Sequence, residues 1–368
     1  MSRSAPLATR KQNSPDRSQP VHFLNQMSKY QQTKEQLERE PRTWLVTGAA
    51  GFIASNLVEE LLRLDQRVIG LDNYSSGHRR NLDEVKAALP SAQWSRFTMH
   101  EGDITRLEDC RRAAIGADYV LHHAAVGSVP RSIDEPLFAH EVNVTGTLHV
   151  LVAAQEAKAR RFVYATSSAV YGDDPTLPKV EPILGNCLSP YAVSKLANEL
   201  YAQVFGRCYG AQTVGLRYFN IFGPRQDPEG AYAAVIPKWI SAMIHGQDVV
   251  INGDGETTRD FCYVADVVQA NILAAATDNP AALNRVFNVA RHSKTTLNEL
   301  YEILRSRLAP FYPQLASAKP VYRDFRPGDV RHSEASIEEV RRGLGFAPAY
   351  TVAGGLDEAL AWYRQNLS

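Results

Sequence analysis

Short apolar runs alternate with amphipathic stretches along most of this chain. The apolar run at residues 44–47 fits one buried strand, and the apolar positions that follow it recur at helical spacing. Further apolar runs predict strands at residues 67–71, 97–103, 119–125, 161–166, 213–217 and 286–290, and residues 136–158 predict a helix. This alternation indicates an α/β protein with a doubly wound, mostly parallel sheet, which binds its ligands at the carboxyl ends of the strands.

Two glycines, Gly48 and Gly51, separate the first predicted strand from its helix, and a third small residue, Ala54, follows at the same interval. Glycines at such a turn let the backbone approach a pyrophosphate, and the helix N-terminus faces the negative charge. The pattern Gly-x-x-Gly-x-x-Ala therefore predicts a dinucleotide site of the Rossmann type. A glycine turn without a ligand is the alternative, since such turns are common between strands and helices.

Asp72 ends the second predicted strand, roughly 20 residues after the glycines, where a carboxylate can accept hydrogen bonds from a ribose 2′-hydroxyl. The same charge repels a 2′-phosphate, so Asp72 favours NAD over NADP as the cofactor. An aspartate that only caps a turn is the alternative interpretation.

The charge balance and the cysteines narrow the class of protein. The 40 lysines and arginines match the 40 aspartates and glutamates of the 368 residues, so charge gives no argument for a nucleic acid or a membrane. The four cysteines form no Cys-x-x-Cys pair, and no apolar run is long enough for a membrane span or a signal peptide. These features predict a soluble cytoplasmic protein, with residues 1–26 disordered and a short helix within residues 28–40.

Tyr191 and Lys195 are four residues apart in the helix predicted to begin at Ser189 and Pro190, and therefore share one helix face. A nearby ammonium favours the phenolate, and the positive nicotinamide of NAD adds to this effect, so Tyr191 can act as a general base. Ser167 ends the preceding core strand, where its hydroxyl can share a substrate proton with Tyr191.

Together, the glycine turn, the strand-end Asp72, the Ser-Ser-x-x-Tyr-Gly segment at residues 167–172 and the Tyr-x-x-x-Lys pair resemble the extended short-chain dehydrogenase/reductase family. The likeness runs from about residue 42 to the C-terminus. Within the family the chain is most similar to NAD-dependent nucleotide-sugar epimerases, above all the bacterial UDP-N-acetylglucosamine 4-epimerases of surface-polysaccharide synthesis. The resemblance implies that Asn220 and Arg259 contact the substrate diphosphate. It also implies that Arg326 reaches a phosphate and that Asp329 holds the uridine ribose.

The resemblance implies a set of residues around each ligand and no metal site. The predicted cofactor-binding residues are Gly48, Gly51, Phe52, Ile53, Asp72, Asn73, Ser76, Gly77, Asp103, Ile104, Ala124, Tyr191, Lys195 and Tyr218. The predicted substrate-binding residues are Gly127, Ser128, Ser167, Ser168, Tyr191, Asn220, Ala234, Val235, Arg259, Arg326, Asp329 and Ser333. The predicted domains are a tail with a short helix (residues 1–40), an NAD-binding Rossmann domain (41–219, with a return around 260–291) and a smaller α/β nucleotide-sugar domain (220–259 and 292–368).

Ser168 and Ala169 distinguish between reactions of the family. Sugar 4,6-dehydratases carry an Asp-Glu pair at the matching positions to eliminate water, and UDP-glucuronate decarboxylases keep a glutamate in that region. Serine and alanine cannot exchange protons as a carboxylic acid does, so a 4-epimerase remains. The resemblance implies that Tyr191 removes the C4 hydroxyl proton while hydride passes to NAD, and that the 4-keto sugar then rotates and takes the hydride back on its other face.

Ser333 bears on the choice of sugar. In UDP-galactose 4-epimerases, a tyrosine four residues after the aspartate of the Arg-x-x-Asp segment can restrict the sugar pocket, and Ser333 occupies that position here. The small side chain leaves room for an N-acetyl group and favours UDP-N-acetylglucosamine. Two alternatives stay open. One is UDP-glucose with UDP-galactose, and the other is a UDP-uronate, with or without an N-acetyl group, whose carboxylate pairs with Arg131 or another base near the sugar. A redox-sensing NAD-binding regulator would be expected to lack Tyr191 or Lys195.

The resemblance also implies a homodimer formed through paired helices, here those around residues 136–158 and 190–207. The expected partners are therefore a UDP-sugar and a second copy of the chain, with no nucleic acid and no membrane.

Overall fold

The computed structural model describes Met1, residues 27–228, residues 234–325 and residues 331–367. The predicted disordered tail at residues 1–26 lies outside the described residues, apart from Met1. The predicted short helix is α1 (Lys29–Arg39), where the Ser28 side chain accepts a hydrogen bond from the Gln31 N–H at 3.1 Å. Within the described ranges, no helix is long and apolar enough to cross a membrane.

The strands fall into a central set and several short pairs. They are β1 (Thr43–Thr47), β2 (Arg67–Asp72), β3 (Phe97–Glu101), β4 (Tyr119–His122), β5 (Arg161–Ser167), β6 (Thr213–Tyr218), β7 (Asn220–Phe222), β8 (Val250–Asn252), β9 (Thr258–Arg259), β10 (Phe261–Tyr263), β11 (Arg285–Val289), β12 (Thr295–Thr296) and β13 (Val321–Arg323).

Helices separate most of these strands. After α1 they are α2 (Phe52–Arg63), α3 (Arg79–Ala88), α4 (Ser91–Trp94), α5 (Leu107–Ala114), α6 (Val129–Asp134), α7 (Pro136–His140), α8 (Gly146–Glu156), α9 (Pro190–Tyr209), α10 (Val235–Ile244), α11 (Val264–Ala276), α12 (Leu297–Leu308), α13 (Glu338–Leu344) and α14 (Val352–Asn366). Short 3₁₀ turns lie at Ser168–Tyr171, Pro280–Ala282 and Pro313–Ala316.

Seven parallel strands form the central sheet in the order β11-β6-β5-β4-β1-β2-β3. The chain proceeds from β1 to β3 on one side and from β4 to β11 on the other, so the strand order reverses between β1 and β4. A ligand crevice is expected beyond the carboxyl ends at such a reversal. Thr47 and His122, which are paired across these two strands, mark its position.

The central strands are apolar on both faces, which explains their continuous apolar runs. Trp44, Val46 and Leu121 belong to one core, whereas Leu45 and Val120, their neighbours in the chain, belong to the core on the other face. Side chains of a strand alternate between the two faces of its sheet, so both layers of helices find an apolar surface.

The chain after β6 builds a second, smaller assembly. Three two-stranded ladders pair β7 with β10 and β8 with β13 in parallel, and β9 with β12 antiparallel. Trp239, Leu304 and Tyr363 pack in a separate core formed with α10, α12 and α14. The boundaries proposed for the domains stay a prediction.

The helical stretch predicted at residues 136–158 is present over most of its length, but it is not α-helical at its centre. A π-helical turn, Glu141–Thr145, separates α7 from α8. This turn contains Asn143, which is fully buried and whose Oδ1 accepts a hydrogen bond from the Val126 N–H at 2.7 Å. Its Nδ2 donates to the Ser194 Oγ at 3.1 Å. The wider turn directs Asn143 at the loop after β4, and such turns are frequent at functional sites.

Candidate active site

The glycine turn after β1 forms one wall of a deep cavity at the carboxyl edge of the sheet. Gly48 has a left-handed φ of +70°, and a Cβ added there would lie 2.8 Å from the Ala124 nitrogen. The Gly51 N–H donates to the Gly48 carbonyl at 2.8 Å, and α2 begins at the next residue, Phe52. The turn therefore directs the unpaired N–H groups of the α2 N-terminus at the cavity, which suits a pyrophosphate.

Asp72 lies beside this turn at the end of β2. Its Oδ2 accepts a hydrogen bond from the Ala50 N–H at 2.9 Å, and its Oδ1 accepts one from the Tyr74 N–H at 2.7 Å. Burial raises the pKa of Asp72, and these hydrogen bonds oppose the rise. Each carboxylate oxygen has a further lone pair, so Asp72 can hold the turn and still accept hydrogen bonds from ribose hydroxyls.

Every residue predicted to bind the cofactor lines this cavity, which has a volume of about 680 Å³ and is called the cofactor cavity below. Gly77 shows how closely its walls pack, because an added Cβ would lie 2.8 Å from the Ala50 carbonyl carbon. The lining residues that were predicted are Gly48, Gly51, Phe52, Ile53, Asp72, Asn73, Ser76, Gly77, Asp103, Ile104, Ala124, Tyr191, Lys195 and Tyr218.

Tyr191 and Lys195 lie on one face of α9, whose first turn is capped by the Ser189 side chain. The Tyr191 N–H donates to the Ser132 Oγ at 3.0 Å, which ties this turn to α6. Lys195 Nζ donates to the Ala165 carbonyl of β5 at 3.2 Å and lies 5.8 Å from the centre of the Tyr191 ring. The helix and the strand end thus present a phenol and an ammonium to the same cavity.

Burial governs the protonation of these two groups. It raises the pKa of the Tyr191 phenol, while a hydrogen bond with Ser167 acts in the opposite direction. It lowers the pKa of Lys195 to about 8. The effect of the ammonium on the phenolate stays a prediction, since burial is the larger influence on the pKa of Tyr191.

A buried ion pair supports the strand end that carries Ser167. Arg217 Nη2 donates to Glu199 Oε2 at 2.7 Å, and the two side chains are 4% and 3% exposed. The same carboxylate accepts a hydrogen bond from Thr166 Oγ1 at 2.7 Å. Because Thr166 directly precedes Ser167, this network holds the end of β5 against α9.

Two adjacent histidines lie at the end of β4, and the second of them, His123, lines the cofactor cavity. His122 is hydrogen-bonded to Thr47 Oγ1 at 2.8 Å and to Thr147 Oγ1 at 2.9 Å, and His123 Nε2 lies 2.9 Å from Tyr218 Oη. Burial lowers the pKa of His122 well below its usual value and that of His123 to about 4. Both rings are therefore neutral near pH 7.

A second cavity of about 630 Å³, called the substrate cavity below, adjoins the first. Ile221 and Gln226 line both cavities. Four of the predicted substrate-binding residues line the substrate cavity, namely Asn220, Ala234, Val235 and Arg259. Four others line the cofactor cavity, namely Gly127, Ser128, Ser167 and Tyr191.

The remaining predicted substrate residues have different positions. Ser168 begins the 3₁₀ turn after β5, and neither it nor Ser333 is among the described residues that line the two cavities. The Ser333 N–H donates to the Thr258 carbonyl at 3.2 Å, which places Ser333 beside the strand of Arg259. Arg326 and Asp329 lie outside the described residues.

The amino-acid sequence matches a known family of enzymes. The family described as "NAD dependent epimerase/dehydratase family" matches residues 44–290, more than half of the chain. The protein belongs to this family. The cofactor of its members is NAD. The cofactor cavity fits NAD because the glycine turn and the α2 N-terminus suit its pyrophosphate, and because Asp72 suits a ribose without a 2′-phosphate.

Relatives of the epimerase/dehydratase family resemble the chain over most of its length. The UDP-glucose 4-epimerase of Mycolicibacterium smegmatis is 35% identical over 88% of this chain and 98% of its own length. The UDP-N-acetylglucosamine 4-epimerase of Methanobrevibacter ruminantium, solved in complex with UDP-N-acetylmuramic acid, is 38% identical with a TM-score of 0.79, over 88% of this chain and 99% of that one. The Thermus thermophilus UDP-glucose 4-epimerase, solved with NAD, is 30% identical with a TM-score of 0.74, over 88% and 99%.

These comparisons confirm several predictions. The family, the Rossmann-type fold with its smaller C-terminal assembly, NAD as the cofactor and an NAD-dependent epimerase are as predicted. The roles of individual site residues stay predictions. Ser168 and Ser333 are not among the described residues that line the cavities, whereas the other predicted residues that the structure describes line one of the two.

Sequence reasoning missed part of the substrate cavity of this family member. Gln226, Trp239, Asn252 and Arg323 line it, and none of them was predicted. Gln226 could have been found, because it lies only six residues after Asn220, which was predicted to contact the diphosphate. Arg323 gives no such signal, since it reaches the cavity only through the pairing of β13 with β8.

Proposed function

We propose that this enzyme interconverts UDP-N-acetylglucosamine and UDP-N-acetylgalactosamine by epimerisation at C4. The observation that carries the proposal is the junction of the two cavities. Ser167, Tyr191 and Lys195 line the cofactor cavity, and Asn220 and Arg259 line the adjoining cavity, where they can hold a diphosphate.

The protein's own groups support proton transfer at the C4 hydroxyl. Tyr191 takes the proton as a general base, with Ser167 hydrogen-bonded to the phenol, and returns it when the alcohol reforms. Lys195 keeps a positive charge near the phenol at pH 7, since its pKa is about 8. Bound NAD supplies the acceptor and donor of the C4 hydride. Because the same proton and hydride are returned, the cycle needs no external oxidant or reductant.

Epimerisation is favoured over dehydration by the residues that follow Ser167. Elimination of water needs an acid and a base at the neighbouring sugar carbons, and Ser168 and Ala169 provide neither. Dehydration would therefore require an acid from another part of the site.

The N-acetylated sugar is favoured by the small Ser333 and by likeness to the Methanobrevibacter enzyme, whose own substrate carries this group. Ser333 is held beside the strand of Arg259 by its hydrogen bond to the Thr258 carbonyl at 3.2 Å. A small side chain there leaves room for the acetamido group at C2 of the hexose.

We further propose that the protein is a homodimer that acts in the cytoplasm, in the synthesis of a surface polysaccharide. The helices expected to pair carry large apolar side chains on the surface. Leu137 is 86% exposed, and Val193 and Leu200 are each 56% exposed. Such a patch is typical of a protein–protein interface.

A panel of UDP-sugars tests the proposed reaction. Purified enzyme is incubated with UDP-N-acetylglucosamine, UDP-glucose and UDP-glucuronate separately, and the products are separated from their C4 epimers. The N-acetylated sugar is expected to have the highest kcat/KM, and denatured enzyme is expected to release NAD. Preferred turnover of UDP-glucuronate, or release of NADP instead, would contradict the proposal.

A further inference from the structure

Asp260 is a fully buried carboxylate between the two strands β9 and β10. It lines neither cavity among the described residues, and no cofactor or substrate role was predicted for it. A buried charge is costly unless hydrogen bonds compensate for it. The groups that donate hydrogen bonds to Asp260 should therefore indicate its role.

The hydrogen bonds of Asp260 join three separate parts of the chain. Its Oδ1 accepts a hydrogen bond from the Arg291 N–H at 3.0 Å, and its Oδ2 accepts bonds from the N–H groups of Ser293 at 3.3 Å and Ala335 at 3.2 Å. Its backbone carbonyl accepts two more from Asn220, from N–H at 3.2 Å and from Nδ2 at 3.3 Å.

Two of these three parts lie at or beside the substrate cavity. Asn220 lines the substrate cavity, and Arg259, the residue before Asp260, lines it as well. Ala335 lies two residues after Ser333, in the segment that follows the undescribed residues 326–330. Asp260 therefore lies where the walls around the diphosphate and the sugar are joined.

The carboxylate is suited to this position because it only accepts hydrogen bonds. An asparagine would keep one oxygen but would turn an NH₂ group towards at least one of the backbone N–H groups. Two donors would then face each other in a buried site, so the chain would have to move away on one side. The movement would fall on residues 291–293 or on the segment of Ser333.

We propose that Asp260 is a positioning residue for the UDP-sugar, because it holds Asn220, Arg259 and the segment of Ser333 in the arrangement that the nucleotide requires. The inference rests on the proposed function, since it takes the substrate cavity to bind UDP. Asp260 itself touches neither the cofactor nor the reacting atoms.

Asp266 offers a matched control in the same chain. It is also buried, and its carboxylate accepts backbone hydrogen bonds from Ala349 at 2.7 Å and Tyr350 at 3.3 Å. Burial raises the pKa of both aspartates to about 6. Asp266 and its two partners are not among the described residues that line either cavity. The two sites therefore share their chemistry and differ in their relation to the substrate.

The test compares Asp260→Asn with Asp266→Asn in the full-length, NAD-loaded enzyme at pH 8. Calorimetric titration with UDP gives the Kd, and the melting temperature and the NAD released on denaturation are measured in parallel. Both variants are expected to lose melting temperature and to keep their NAD. Asp260→Asn is expected to weaken UDP binding by at least about tenfold, because charged hydrogen bonds at the site are lost, and Asp266→Asn by less than about twofold. With a sugar that is turned over, Asp260→Asn should raise KM more than it lowers kcat.

Equal Kd values for UDP in the two variants and in the wild type would overturn the inference, and so would an equal loss in both variants. If Asp260→Asn does not fold, the same comparison uses Asp260→Glu and Asp266→Glu, which keep the charge and displace it. A wild-type enzyme that binds UDP but epimerises no sugar of the panel contradicts the proposed function and leaves the Kd comparison decisive for Asp260. A wild-type enzyme that does not bind UDP contradicts both.

Discussion

The two cavities of this enzyme meet at Ile221 and Gln226 but are built differently. The cofactor cavity lies at the ends of parallel strands that belong to one sheet, and its turn brings backbone against backbone, as at Gly48 and Ala124. The substrate cavity is lined by side chains from strands of two or three residues, such as β7, β8 and β9, and from α10.

This difference separates the chemistry of the enzyme from its specificity. A change in the cofactor cavity must displace backbone that the sheet holds in place, and close-packed interiors resist such shifts. A change in the substrate cavity can exchange one side chain for another. The comparison predicts large, general losses where a substitution displaces the backbone of the first cavity or removes its phenol. It predicts smaller or selective effects where a substitution only exchanges a side chain near the sugar.

The largest effect is expected from Tyr191→Phe, which removes the proposed proton acceptor from the cofactor cavity. Turnover should fall by about 10²–10⁴-fold, the usual contribution of a general acid–base group. The Kd for UDP and the bound NAD should change little, because the ring still fills its place. Tyr201→Phe, an exposed position of the same helix, serves as the control. A variant that keeps near-normal kcat would remove Tyr191 from the mechanism.

The second-largest effect is expected from Gly48→Ala, which should weaken the retention of NAD. The new Cβ would lie 2.8 Å from the Ala124 nitrogen, and the left-handed φ of +70° adds strain. Overfilling a packed site costs about 1–3 kcal/mol, and a left-handed non-glycine residue costs about as much again. The measurement is the NAD that remains bound after gel filtration.

Gly116→Ala provides the control for this experiment. Gly116 has a similar φ of +75°, but an added Cβ there would meet no atom within 4 Å. It should therefore share the strain of Gly48→Ala without the collision, and should keep its NAD. Equal retention by both variants would mean that contact of the turn with Ala124 does not limit the cofactor site.

Sequence reasoning succeeded for the cofactor cavity because the relevant signals are local. Gly48, Gly51 and Asp72 follow buried strands at short intervals, and the parallel sheet then brings those strand ends together. The helical spacing of Tyr191 and Lys195 likewise determines that they share a face. No contact between distant parts of the chain has to be known.

The features that were missed depend on such distant contacts. Arg323 reaches the substrate cavity only because β13 pairs with β8, and Asn143 interrupts its helix because Val126 and Ser194 bind its side chain. The rise in the pKa of Tyr191 on burial could not be predicted for the same reason. The sequence showed the nearby lysine, whereas the burial that dominates is a property of the folded chain.

Beside the substrate cavity, next to the strand of Arg259, Ser333→Tyr should act selectively. If the residue controls space for the C2 substituent, kcat/KM for the N-acetylated UDP-sugars should fall by about 10- to 100-fold, since overfilling costs about 1–3 kcal/mol. Activity on UDP-glucose and UDP-galactose should change less or improve. The ratio of the two kcat/KM values is the measurement, because it cancels a general loss of folded enzyme.

Ser306→Tyr, at an exposed position of α12, is the control for Ser333→Tyr. It should leave the ratio unchanged. If both classes of sugar lose activity equally in folded Ser333→Tyr, or if neither changes, Ser333 does not control the C2 substituent. The proposed choice of substrate would then lose its main physical support.

The smallest effect is expected from Arg131→Gln, which tests the alternative of a uronate substrate. Arg131 lines the cofactor cavity, but its guanidinium is already paired with Glu135 at 3.4 Å and lies over the Phe138 ring. An exposed pair of this kind contributes about 0–1 kcal/mol. Turnover of UDP-N-acetylglucosamine should therefore fall by less than about fivefold, because that sugar has no carboxylate for Arg131 to hold.

A uronate enzyme would respond in the opposite way to Arg131→Gln. Removing the cation that holds a C6 carboxylate takes away a charge-assisted hydrogen bond, so turnover of UDP-glucuronate would fall by about tenfold or more while the neutral sugars kept theirs. Arg111→Gln, which removes a surface arginine paired with Glu156, is the control for the loss of one positive charge. Steady-state kinetics with both sugars on the three enzymes separates the two outcomes. A selective loss of UDP-glucuronate turnover would transfer the assignment to the uronate, whereas small and equal changes would agree with a neutral hexosamine.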